Sequence, residues 1–113
     1  MPPASELDLV RGTLDLIILR TLSWGPKHGL GVVKWLEDVT HQELAVEEGA
    51  LYPALHRLEQ KKLIAGEWGY TDAQRRARFY RLTERGRRHL AEETTRWTRY
   101  TKVMHRILTV EVG

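Results

Sequence analysis

The hydrophobic period of this chain changes twice, and the two changes leave few folds open. Up to Leu63 apolar residues recur at three- and four-residue spacing. Over IAGEWGY (64–70) and ARFYRLT (77–83) they alternate with polar ones, and from Thr83 onward helical spacing returns. The chain therefore reads as helices, one hairpin and one long terminal helix, a mainly α protein with a small β-hairpin.

Leu14, Ile17, Ile18, Thr21 and Leu22 place the first helix over Thr13 to Ser23, closed by Gly25-Pro26. Val32, Trp35, Leu36 and Val39 place a second from Gly29 to Thr40. The connector HQELAV, 41 to 46, has room for a short strand at Leu44 to Val46. The stretch EEGALYPALHRLEQKKL, 47 to 63, has two edges: Leu51, Leu55 and Leu58 with Ala54 beside them, and opposite these Gly49, Tyr52, Pro53, His56, Arg57 and Gln60. It reads as a third helix with Glu47 and Glu48 at its positive end. Proline costs a hydrogen bond beyond the first turn, so the helix either begins after Glu48 or bends at Pro53. The hairpin loop TDAQRR carries a basic tip, Gln74, Arg75 and Arg76, with Arg78 following. Thr83 is placed to cap a last helix running from Glu84 toward Leu108.

With 113 residues the chain has one modest core. It divides into a body, 1–83, and a terminal helix, 84–113. It has no cysteine, which removes disulfides and thiolate metal sites. MPPASELD lacks the basic start and apolar run of a secretory signal, so a cytoplasmic location is expected. Charge changes sign along the chain. Residues 1–46 hold four Lys/Arg against six Asp/Glu, and residues 56–88 hold ten against four. Gathered on one surface, those ten attract a polyanion; spread out, they are a solvated face.

The last helix carries Leu90, Trp97, Tyr100, Met104, Ile107 and Leu108 at three-and-four spacing. A strip of this kind must be buried, and the rest of the chain barely covers its own core. A second copy is the expected cover, gaining ~25 cal/mol per Å² of apolar area, with the helix folded back over its own core as the alternative. Trp97 and Tyr100 on such a seam also form a candidate effector site for a flat aromatic small molecule, with simple seam packing as the alternative.

Three helices followed by a hairpin, the third helix half apolar and half polar, is the winged helix-turn-helix order. In that arrangement the leucine edge is locked inward and Tyr52, His56 and Arg57 reach a major groove, with Gly49 and Pro53 on the same edge. Gln74, Arg75, Arg76 and Arg78 reach phosphates or a minor groove from the hairpin. Lys27 and His28 bring the start of the second helix to the backbone. Lys61 and Lys62 read as solvated.

Four blocks also resemble the PadR-like transcriptional regulators: GTLDLIILRTL (12–22), GPKHGLGVVKWLE (25–37), VEEGALYPALHRLEQKKLI (46–64) and RRARFYRLTERGRRHL (75–90). The resemblance covers most of the chain and implies a bacterial or archaeal DNA-binding repressor. It implies a homodimer paired through its C-terminal helix on an inverted-repeat operator, in the compact branch with a short C-terminal region. Two positions depart from the family pattern. Ala50 stands where many members have a hydroxyl, and Leu30 stands where many have an aromatic.

Two rival classes fit less well. The histidines at 28, 41, 56, 89 and 105 form no metal-binding spacing, and neither a phosphate loop nor a nucleophile elbow occurs. The sequence therefore predicts no enzyme, no metal and no cofactor. An adaptor that had lost DNA would have no use for the basic hairpin.

Overall fold

The computed structural model describes residues 12–112. Helix α1 spans Thr13–Leu22, α2 Gly29–Thr40, α3 Glu48–Gln60 and α4 Glu84–Thr109; strands β2, Ile64–Tyr70, and β3, Arg76–Leu82, form the hairpin. A two-residue strand, β1 at Lys27–His28, adds to the free edge of β3, giving a three-stranded antiparallel sheet in the order β1-β3-β2. The two period changes in the sequence thus fall where helix gives way to sheet and sheet to helix.

Helices α1, α2 and α3 bury Ile18, Leu19 and Leu22, then Val32 and Leu36, then Leu51, Ala54, Leu55 and Leu58. Leu19 joins the core from outside the predicted stripe, while Leu14, Ile17 and Trp35 of the stripes are only half-buried and Val39 is exposed. Tyr80 and Leu82 of β3 and Ile64 of β2 close the same core from the sheet side. Thr21, predicted on the apolar stripe, is fully buried, and its hydroxyl donates to the Ile17 carbonyl at 2.8 Å, so no polar atom is stranded.

Of the two alternatives at Pro53, the start after Glu48 does not hold. Helix α3 begins at Glu48 and runs through Pro53, its sixth residue. The carbonyl of Gly49, which that proline cannot serve, lies on an exposed edge where water can.

The connector departs from expectation. Leu44 makes only an isolated bridge and no strand forms over 44–46. Thr40 is the cause. Its Oγ1 donates to the Leu36 carbonyl and receives the Leu44 N–H at 3.3 Å, so the backbone is tied back onto the end of α2, while Val46 drops into the core. The strand that does form, β1, had no signal, because two residues cannot display an alternation.

Helix α4 starts as predicted. The Gly86 N–H donates to Thr83 Oγ1 at 3.0 Å, and that hydroxyl in turn donates toward the Lys62 and Leu63 carbonyls. A single threonine therefore joins the end of α3 to the start of α4. Leu90, expected on the paired strip, is instead a core residue at 8 % exposure. It lies two turns into α4, where the helix still rests on the body, so the body extends past residue 83. Beyond Leu90 nearly every α4 residue is exposed.

Candidate nucleic-acid interface

Helix α3 presents four sides. Its leucines face the core, one flank meets α1 and the other meets the sheet. Between the flanks lies an open edge with Gly49, Pro53, His56 and Gln60 at i, i+4, i+7 and i+11, all exposed. Tyr52 stands beside this edge at 46 % exposure, its phenol against Gly29; a Cβ on that glycine would sit 2.8 Å from the tyrosine oxygen. Gly29 thus lets the start of α2 and the start of α3 approach each other.

The hairpin register sets Trp68 opposite Arg78 and Tyr70 opposite Arg76, so these four share the face that overhangs α3. The Arg76 guanidinium lies 4.4 Å from the centre of the Trp68 ring, and that of Arg78 5.7 Å from it. At the tip, Gln74 takes a left-handed conformation (φ 63) and its N–H donates to the Thr71 carbonyl at 2.9 Å. This turn holds Arg75 and Arg76 outward and exposed. His28 and Gly29, Tyr52 and the arginines of the hairpin line one cleft of about 590 Å³, with Asp72 at its rim.

Two predicted cations are held by carboxylates. Arg57 makes a two-pronged pair with Asp15 of α1, Nη2 to Oδ1 and Nε to Oδ2, the latter at 3.4 Å. Arg78 reaches across β2 to pair with Glu59 of α3. Gly66 makes that crossing possible, since a Cβ there would stand 2.5 Å from Arg78 Nε. Each pair raises its arginine's pKa above the ordinary value, through the hydrogen bond first. Burial, and after it the Glu59 carboxylate, raises that of the neighbouring Tyr80 phenol. Lys27 turns inward, its Nζ donating to the Thr21 carbonyl at 3.4 Å, and His28 stacks on Phe79 with ring centres 5.3 Å apart.

The structure therefore brings together His28, Tyr52 and the hairpin residues Arg75, Arg76 and Arg78 in one cleft, with Gly49, Pro53 and His56 on the adjoining edge. Lys27 and Arg57 do not line that cleft, being engaged with the Thr21 carbonyl and Asp15. Sequence reasoning missed Asp15, Glu59 and Trp68. The carboxylates lie 42 and 19 positions from their arginines, a separation that carries no periodic signal. Trp68 was findable from the hairpin register.

At the other end of the molecule, Trp97 and Tyr100 stack with ring centres 6.0 Å apart. With Leu16, Glu93 and Arg96 they line a cleft of about 300 Å³ where α4 passes α1. Beyond it Tyr100, Val103, Ile107 and Leu108 remain exposed, Leu108 at 74 %, with Met104 at 36 % among them. Among the described residues there is no cluster of three or more potential metal ligands, and no helix is long and apolar enough to cross a membrane.

A half-buried helix beside a basic hairpin defines the winged helix-turn-helix class of DNA-binding protein. The comparisons agree with that class. The model of the transcriptional regulator PadR-like family matches residues 18–92. The chain is 36 % identical over 84 residues to "Transcriptional regulator Rv3488" of Mycobacterium tuberculosis, covering 74 % of each chain. It superposes on a transcriptional regulator from Clostridium thermocellum with a TM-score of 0.78, at 29 % identity over 89 % of this chain and 96 % of that one. A PadR family regulator from Eggerthella lenta gives 0.76 at 32 % identity, covering 89 % and 86 %. This chain belongs to the PadR-like family of transcriptional regulators, and it is a regulator and not an enzyme.

Proposed function

We propose that the chain is a repressor that binds an inverted-repeat operator as a homodimer. The observation that carries this reading is the placement of Tyr52 of α3 and the basic hairpin around one cleft, with the open edge of α3 adjoining it. A helix fits the major groove of B-form DNA, and cations beside it meet the flanking phosphates. Tyr52 and His28 border that cleft as further phosphate contacts. Pairing of α4 with a second copy supplies the two-fold axis, which the exposed strip through Tyr100, Met104, Ile107 and Leu108 supports.

Binding of duplex DNA across a salt series tests the reading. Affinity should fall steeply with salt. Arg75→Ala with Arg76→Ala should weaken binding to every sequence while reducing the slope by roughly 0.9 for each phosphate no longer neutralised. Weak, salt-insensitive binding would instead mark an adaptor that acts through protein contacts.

The stacked Trp97 and Tyr100 beside an open cleft support a further role as the effector site. A flat aromatic compound stacking there would change the angle between paired helices and so the spacing of the two reading edges. A planar dye should bind the wild-type protein and lose most of its affinity in Trp97→Ala; equal affinity for both would remove this role.

A further inference from the structure

Arginine is the residue expected to read guanine in a major groove, and α3 has one, Arg57. The hairpin offers another in Arg78. Yet each is paired with a carboxylate from a different element. Asp15 grips Arg57 from α1, and Arg78 grips Glu59 from the sheet. The Asp15 pair occupies the Nε and Nη2 side of the Arg57 guanidinium and draws the side chain along the flank toward α1, away from the open edge.

The two pairs fall on opposite flanks of α3. Arg57 lies one step off the open edge on the side of α1, and Glu59 one step off it on the side of the sheet. Together they fix the helix from left and right, and they leave the edge between them untouched. On that edge Gly49 has no side chain and Pro53 has no donor. The hydrogen-bonding side chains remaining are His56 and Gln60, both exposed, and neither with a partner among the described residues. Gln60 is the amide type that bridges the N6 and N7 of adenine, and a histidine ring nitrogen can bond a purine N7 or O6.

We infer that His56 and Gln60 set base preference, and that Arg57 and Arg78 are positioning residues that brace α3 against α1 and the wing. The inference rests on the DNA-binding reading above and goes beyond it in naming which side chains discriminate. Gln60, which the sequence placed on this edge without assigning it a contact, thereby acquires a role.

The test uses full-length protein and a duplex recovered from a random pool by the wild type, together with its set of single-base-pair variants. His56→Ala and Gln60→Ala should each flatten discrimination at one position of the half-site, by roughly ten- to a hundredfold, while binding to unrelated duplexes stays as before. Arg57→Ala, Asp15→Asn and their double variant should lower affinity for every duplex by one common factor, leaving the order of preference intact. Glu59→Gln should do the same through Arg78. The double variant distinguishes bracing from reading, because removing both halves of a brace costs no more than removing either half.

Three results would overturn the inference. The first is Arg57→Ala altering which base is preferred while Asp15→Asn does not. The second is Asp15→Asn strengthening binding, as expected if it released a reading arginine. The third is both His56→Ala and Gln60→Ala leaving preference unchanged. The two latter substitutions are at exposed positions that the fold does not use, so they decide the matter even if Arg57→Ala fails to fold. A wild-type protein that recovers no duplex removes the DNA-binding reading itself, and this inference with it.

Discussion

Gly49 and Gly86 are both glycines near a helix start, yet they make opposite demands. A Cβ at Gly49 would meet nothing within 4 Å. Gly49→Ala should therefore raise stability by about 0.5–1 kcal/mol, the usual helical preference for alanine over glycine. If the open edge lies against DNA, the added methyl should also weaken operator binding, so thermal melts and binding curves would move in opposite directions. A Cβ at Gly86 would stand 2.0 Å from the Leu63 carbonyl oxygen. Gly86→Ala should cost well over 1 kcal/mol, because backbone and not a flexible side chain must yield; a urea midpoint equal to wild type would contradict this close approach. Tyr80 carries a pH dependence. Burial first, and Glu59 second, raise its phenol above the ordinary value. The folded state then keeps a proton that the unfolded chain releases, so this part of the stability is complete below about pH 10 and is lost as pH rises through the folded value. Urea midpoints measured between about pH 9 and 11 should fall more steeply in the wild type than in Tyr80→Phe.

At the scale of elements, what the sequence revealed was periodicity. Leu51, Leu55 and Leu58 announced α3, and the alternation of 64–70 and 77–83 announced the hairpin, because burial on one face leaves a regular trace. Thr83 announced the start of α4 through its cap. Replacing it with alanine should destabilise the protein by about 1 kcal/mol, measured by urea unfolding, and more if its bond toward Leu63 counts as well. What periodicity could not announce were short or distant partnerships. Strand β1 has two residues, and its pairing with Tyr80 and Phe79 is decided by where α1 and α2 set the turn at Gly25. The connector had room for a short strand at Leu44 to Val46, but the Thr40 hydroxyl claimed the Leu44 N–H. The exposed edge of α3 was legible as an edge; that Asp15 occupies Arg57 was not, since charge pairing across 42 positions depends on the packing of two helices that the sequence specifies separately.

The whole molecule is long, with extents of 61 × 39 × 21 Å, because α4 continues past the body. The length has a cost: Ile107 and Leu108 stand 59 % and 74 % exposed, an arrangement that water disfavours unless something covers it. Leu90, belonging to the core, marks where the body ends and the projecting strip begins. If a second copy covers that strip, Ile107→Glu combined with Leu108→Glu should yield a folded monomer by sedimentation. Its circular dichroism should stay close to wild type, and its operator affinity should fall at least tenfold as one half-site must bind alone. A dimer that survives both substitutions would place the pairing surface elsewhere on the chain.

Selection of bound duplexes from a random pool, followed by sequencing, tests the central claim most directly. Two reading edges related by a two-fold axis predict recovery of an inverted repeat with half-site centres about one turn, or roughly 10 to 10.5 base pairs, apart. Recovery of an asymmetric site, or of no preferred sequence at all, would contradict it.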